Sequence, residues 1–416
     1  MAGGDEARER IRRGLRVWFR TPPRRHGEVV YAREVSFLEL FYDLVYVVLI
    51  GRAAHHLAEH VDWRGVGDFV VVFGLIWLAW FNGTFWHELH GREDGQSRSY
   101  IFLQMALLAL LAVFAGDATG EDGSAFAVTY AILFALFTWQ WYLVHRIDDP
   151  QYRPTTSRYL VGMLATVIAV AVSAVVNSSV REGIWAVVAV AWVIGGLVLI
   201  TRDRTAGFGK GVTRSLVERI GLFTIIVLGE VVVGVVGGIS DAEDRTSRTI
   251  ATGIIGLTIG MGMWWTYFDV LGRRLPGQRG GRLAAWLYAH LPLTMAIAAS
   301  GAAMVSLVEH AADSRTPAAT AWLLTGSVAV MLTSVALAAT ALPADEFPPG
   351  MTRQLAPTFG LAAAVILVIG AAQPAPIVLV IGIAFVQLLT WLRLFVLYLA
   401  LGGEPSVGVV RGSGDG

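Results

Sequence analysis

The sequence predicts an all-α polytopic membrane protein, with about twelve transmembrane helices in two parallel six-helix repeats. Three observations lead there. The 416 residues are 55% hydrophobic and only 15% charged, with a mean hydropathy of +0.60, a balance that ordinary soluble chains do not reach. Apolar stretches of about 20 residues, the length that crosses a hydrocarbon core about 30 Å thick, recur along the whole chain. The second half then repeats the pattern of the first.

Residues 1–35 form a basic tail that carries Arg8, Arg10, Arg12, Arg13, Arg16, Arg20, Arg24, Arg25 and Arg33. They are polar throughout, so no cleavable signal peptide is expected. An amphipathic stretch over 8–19, ending in Val17, Trp18 and Phe19, suits anionic lipid. A solvated tail that sets the topology is the plainer reading. Six spans follow within 36–201, at 36–58, 66–87, 98–116, 123–145, 158–177 and 183–201. A cytoplasmic linker occupies 202–214. Six more spans fill 215–400, at 215–239, 248–271, 283–308, 318–341, 354–372 and 376–400, and a flexible cytoplasmic tail runs over 401–416. Loops on the side of the N-terminus hold roughly 24 Arg and Lys and the others roughly five, as the positive-inside rule requires of correct threading. Both termini are thus expected in the cytoplasm, and the protein in a bacterial inner membrane.

The repeat is read from matched segments. LVERIGLFTIIVLGEVVVGVV at 216–236 follows the outline of FLELFYDLVYVVLIGRAAHHL at 37–57, with Glu218 opposite Glu39 and Glu230 opposite Arg52. Thr84-Phe85-Trp86 resembles Thr266-Tyr267-Phe268, and 100–107 resembles 286–293, which sets Gln104 opposite His290. Six spans per half is an even number, so the halves share one orientation.

ELFYDLVYVV at 39–48, ERIGLFTIIVLGE at 218–230, WWTYFD at 264–269 and YAHLPL at 288–293 together resemble the bacterial low temperature requirement protein A family, over nearly the whole chain. The resemblance implies a bacterial integral membrane protein with a genetic link to growth in the cold. It implies no established substrate, reaction or cofactor. TFWHELHGRED at 84–94 departs from the Arg-Phe-Asp ending expected of relatives.

Depth selects the candidate residues. At 1.5 Å per residue, Asp43 lies about 10 Å inside the first span, with Glu39 nearer its start. Glu218, Arg219, His290, Gln104 and Arg393 fall at comparable levels of their own spans. Charged groups at bilayer depth are costly unless paired or wetted, so such a layer marks a pathway or a paired network. Glu39 and Asp43, four residues apart, share one helix face. Asp43 is expected to contact an ion or couple transport, and Glu39 to hold a basic residue of the second half. Nearer the other side, the matched register of Arg52 and Glu230 predicts a charge pair.

Other chemistry is thinner. His55, His56, Glu59 and His60 offer i, i+4 ligand pairs, but interfacial imidazoles need no metal, and no metal or cofactor is expected. The absence of Cys removes disulfides and thiolate sites. GFGKG at 207–211 lacks the spacing of a phosphate-binding loop. Trp77, Trp80, Trp86, Trp139, Trp141, Trp264 and Trp265 read as an interfacial belt. Gly253, Gly256 and Gly260 read as a packing stripe. The expected partners are the lipid bilayer and a small solute or ion, with no nucleic acid. A secondary transporter fits these features first. A cation channel is the alternative, since FYDLVY at 41–46 resembles the Phe-Ser-Asp signature of two-repeat lysosomal potassium channels. A non-transporting assembly or sensor protein is the third class. No nucleophile and base constellation points to an enzyme.

Overall fold

The computed structural model describes residues 2–28, 35–202, 213–242, 244–277 and 280–403. Most of the expected linker and C-terminal tail, GFGKG and Arg33 lie outside the described residues. Among those described, the chain forms thirteen α-helices and no strand: α1 (Ala2–Arg20), α2 (Phe37–Glu59), α3 (Trp63–His90), α4 (Gly95–Phe114), α5 (Gly123–Ile147), α6 (Arg153–Ser173), α7 (Ser178–Arg202), α8 (Arg214–Asp241), α9 (Ser247–Val270), α10 (Gly280–Glu309), α11 (Ala318–Ala339), α12 (Met351–Ala372) and α13 (Pro376–Ala400). Each apolar stretch expected from the sequence falls on one of α2 to α13. Local chemistry sets several starts: Asp62, Asp94, Thr213 and Thr246 cap α3, α4, α8 and α9 with side-chain oxygens. Ser36 and Glu39 form a capping box on α2.

Among the described residues, ten helices are long and apolar enough to cross a membrane, namely α3 to α8 and α10 to α13. α2 and α9 are as long, at 23 and 24 residues, but less apolar. α2 carries Glu39, Asp43 and Arg52 among its aliphatic residues, and α9 is interrupted by Thr, Gly and Trp. The expected count of twelve therefore rests on these two.

Within the first half α2 packs on α3 and α4, α4 on α5, α5 on α6, α6 on α7, and α3 on α5 and α7. In the second half α8 packs on α9 and α10, α10 on α11, α11 on α12, α12 on α13, and α9 on α11 and α13. The halves meet chiefly through α10, which lies against α2, α3 and α7, and through α2 against α8. Lipid is as apolar as Leu, so close backbone approach rather than hydrophobicity must hold such helices together. Gly234 of α8 and Gly301 of α10 provide it: a Cβ on Gly234 would sit 2.1 Å from the Gly301 carbonyl oxygen. The glycine stripe of α9 packs as expected, with Gly253 and Gly260 on Val235 and Val231 of α8 and Gly256 on Met304 of α10.

The described N-terminal segment is more than a solvated tail. Trp18 of α1 lies against Gly95 with Arg98 5.3 Å over its ring. Arg24 is buried and donates from Nε to the Gly91 carbonyl (2.7 Å) and from Nη2 to the Glu88 carbonyl (2.9 Å), satisfying the end of α3. His26 donates its backbone N–H to Asp148 Oδ1 (3.1 Å), its Nδ1 lies 2.7 Å from Oδ2, and Thr156 donates to Oδ2 at 2.9 Å. Burial alone would raise the Asp148 carboxyl, but the hydrogen bonds and charge of His26 hold it below its ordinary value. A depressed carboxylate stabilises the fold above its unfolded pKa and loses that stabilisation as pH falls through the folded value. Acidification below about pH 4 is therefore expected to release the 21–28 strap. Proteolysis there should rise with acid in the parent, and in Asp148→Asn should be high already at neutral pH.

Candidate functional site

The seam between α2 and α8 gathers three of the charges that the sequence placed at depth, Glu39, Asp43 and Arg219. Because α2 and α8 run side by side from the end that holds the N-terminal segment, residues at like depth face each other. Arg219 of α8 donates from Nε to Asp43 Oδ2 (3.0 Å), from Nη2 to Asp43 Oδ1 (3.0 Å) and from Nη1 to Glu39 Oε1 (3.3 Å). Trp80 of α3 donates from Nε1 to Asp43 Oδ1 at 2.9 Å and stacks on Phe223 of α8 with centroids 3.9 Å apart. Glu39 Oε2 accepts from the Ser36 N–H and hydroxyl, both at 3.1 Å. Tyr42 places its ring 5.5 Å from the Arg219 guanidinium and its hydroxyl 3.1 Å from that of Tyr46. Arg219, Asp43 and Glu39 are 1%, 0% and 3% exposed, so the cluster is dry and every carboxylate oxygen is engaged.

The expectation that Glu39 holds a base from the second half agrees with this geometry, and Asp43 holds the same base. The other candidates lie elsewhere. Glu218 is exposed, because one residue on a helix turns about 100° and Arg219 takes the inward face. Gln104 donates to Gln140 Oε1 (2.8 Å) between α4 and α5. His290 is buried between α9 and α10, where its Nδ1 meets the Trp286 carbonyl (2.7 Å) and its Nε2 the Tyr267 hydroxyl (3.2 Å). Arg393 is exposed and donates to Thr358 of α12 at 3.1 Å.

Arg52 and Glu230 are not brought together. Glu230 is 6% exposed and faces Gly51, whose Cβ, if present, would lie 3.2 Å from Oε1. Arg52, one position on, is exposed and turns to Gly116, whose Cβ would lie 2.6 Å from its Nη2. Among the described residues Glu230 has no hydrogen-bond or ion-pair partner. In place of the coupling expected from register, Arg52→Ala and Glu230→Ala should add in stability within about 0.5 kcal/mol. A double-mutant cycle by thermal unfolding checks this.

Sequence reasoning missed several contributors. Trp80, expected in an interfacial belt, is 1% exposed and donates the third hydrogen bond to Asp43. Trp77, Trp86 and Trp141 are also buried, and of the seven expected in the belt Trp139, Trp264 and Trp265 are the open ones. Glu88, inside the departing TFWHELHGRED segment, accepts from Thr213 and Ser215 at the N-terminus of α8, where the helix dipole favours an anion. It fastens α3 of the first half to α8 of the second. At the other end of α2, ligand atoms of His56, Glu59 and His60 lie within 4.8 Å of one another, near enough to share a divalent ion. His55 already pairs with Glu59 at 3.4 Å, and His60 Nδ1 with the His56 carbonyl at 3.0 Å.

Comparison with known proteins places this geometry in a family. The chain is 25% identical over 252 residues to an uncharacterized protein, RA0937, of Rhizobium meliloti (strain 1021), an alignment covering 56% of this chain and 58% of that protein. The chain thus spans less than two thirds of the length of this curated relative. No solved structure matches. The profile of the bacterial low temperature requirement A protein matches residues 34–400, and so takes in α2 to α13, the seam and every candidate residue. The chain belongs to the bacterial low temperature requirement A (LtrA) family.

Proposed function

We propose that the protein is a proton-coupled secondary transporter, built of twelve spans in two equivalent six-helix halves and set with both termini in the cytoplasm. The observation that carries this reading is the α2–α8 seam. It holds a closed ion cluster near one end and, about eleven residues further along α8, the buried carboxyl of Glu230, which has no partner among the described residues. A bilayer-depth carboxyl with no donor is held at lowest cost as the neutral acid, which suits Glu230 to carry the coupling proton. Asp43, engaged on both oxygens, is better suited to a gate: Arg219 ties the first helices of the two halves until a conformational change parts them.

Support for equivalent halves comes from packing. Each close helix pair described above within 36–202 has its counterpart within 214–400 when α2 is matched with α8 and so on to α7 with α13. The halves dock unequally, because α10 and not its counterpart α4 carries the contact. Reporter fusions after Asp149 and Asp122 test the orientation, and should report cytoplasm and exterior respectively.

Reconstituted protein with a trapped pH dye tests the activity. Solutes of cationic, anionic and neutral classes are added in turn, and one class should trigger proton movement in the parent. Glu230→Gln should abolish that movement while keeping solute exchange. Proton movement undiminished in Glu230→Gln would remove Glu230 from the role. A second reading is favoured by the full engagement of the Asp43 and Glu39 oxygens: a permanent tie in a non-transporting protein. Proton movement triggered by none of the solute classes in the parent would support the tie over the gate.

A further inference from the structure

On the other side of the first half, α6 and α7 enclose a groove of about 1090 Å³, backed by Phe81 and Phe85 of α3 and by Tyr288 of α10. These are the most thinly covered of the ten apolar helices, with 28% and 17% of their apolar windows buried. The lining is charged at one end only. Arg158, near the start of α6, and Arg202, the last residue of α7, stand there with Thr155 and Thr201. Both arginines are exposed, and among the described residues neither has a carboxylate within ion-pair distance. Beyond them the walls are mostly apolar, and the Thr166 hydroxyl among them accepts from Trp192 Nε1 at 2.7 Å. Gly162 and Gly195 have nothing within 4 Å of where a Cβ would be, so the space along the helix backbones is open.

Length and charge identify the occupant. From Arg158 to Ala169 α6 rises about 16 Å, and from Arg202 to Val187 α7 rises about 22 Å. One leaflet of a hydrocarbon core is about 15 Å deep. The groove thus spans a leaflet, with two cations at headgroup level and an apolar trough below. We propose that it binds one anionic phospholipid, its phosphate between Arg158 and Arg202 and an acyl chain along Gly162, Ala165, Ala191 and Gly195. A second copy of the chain would have to match both the trough and the paired cations, and its own corresponding face is equally cationic.

The site also touches the junction of the halves. Tyr288 of α10 donates to the Trp192 carbonyl of α7 at 3.4 Å and lies where a Cβ on Gly196 would be. A lipid in the groove therefore packs beside the contact through which α10 reaches α7. This inference does not depend on transport, and its test reads binding alone.

The test uses the full-length protein in detergent, offered phosphatidylglycerol or phosphatidylcholine with identical chains and read by native mass spectrometry. One phosphatidylglycerol should be retained per protein, roughly ten- to thirtyfold better than phosphatidylcholine, as two arginines at the surface would give. Arg158→Gln with Arg202→Gln should erase that preference. Gly195→Leu, which points into open space and should leave thermal unfolding unchanged, should reduce both lipids. Equal retention of the two lipids would overturn the proposal. So would a preference untouched by the arginine substitutions, or a lipid-free dimer that Gly195→Leu dissociates.

Discussion

Arg219→Ala is expected to lower the stability of the folded protein by about 3–5 kcal/mol, the loss typical of stranding one side of a buried ion pair. The size follows from what remains. Glu39 and Asp43, 3% and 0% exposed in the parent, would lose the charge of Arg219 and keep neutral donors such as Ser36 and Trp80. Neutralising all three together, as Glu39→Gln, Asp43→Asn and Arg219→Met, should recover much of that loss, since no ion is then left unpaired. Thermal unfolding in detergent and yield of monodisperse protein measure both. An Arg219→Ala protein as stable as the parent would mean that the cluster does not hold α2 to α8.

Gly301→Ala is expected to have the next largest effect. Its new methyl would lie 2.5 Å from the Glu230 carbonyl oxygen, a backbone atom that cannot swing aside. α8 and α10 must separate, at about 1–3 kcal/mol for an overpacked contact. The movement displaces Glu230, whose side chain faces Gly51, so the effect should extend to proton coupling. Gly162→Ala is the control, because it meets open space and should stay within about 0.5 kcal/mol of the parent. Equal melting temperatures for the two variants would contradict the close α8–α10 contact.

Helix positions were legible in the sequence because apolar length acts locally: a run of about 20 apolar residues is recognised with no help from distant parts of the chain. The pairing of Glu39 and Asp43 on one face was legible for the same reason, since four residues is a helical neighbour distance. Rotation about the helix axis was not legible. Matching Glu218 to Glu39 aligned like with like, but the buried position opposite two acids requires a base, and it is the next residue, Arg219, that points inward. The same one-residue turn separates Glu230, which faces Gly51, from Arg52, which faces Gly116. His290 and Gln104 take side-chain partners within their own halves, Tyr267 and Gln140. Trp80 and Glu88 reach across helices far apart in sequence, and no local pattern signals that a Trp N–H or a Glu carboxylate is aimed inward.

The central claim is that the α2–α8 seam opens when the Arg219 cluster parts. The chain has no Cys, so a single Val227→Cys, on α8 between Arg219 and Glu230 and 1% exposed in the parent fold, is a clean reporter. Its labelling by a membrane-impermeant maleimide is measured in sealed vesicles from the N-terminal side, with and without Asp43→Asn. Protection is expected in the parent background and rapid labelling once Asp43 is neutralised, in protein that remains monodisperse. Equal protection of Val227→Cys in both backgrounds would contradict the claim and leave the cluster a permanent tie.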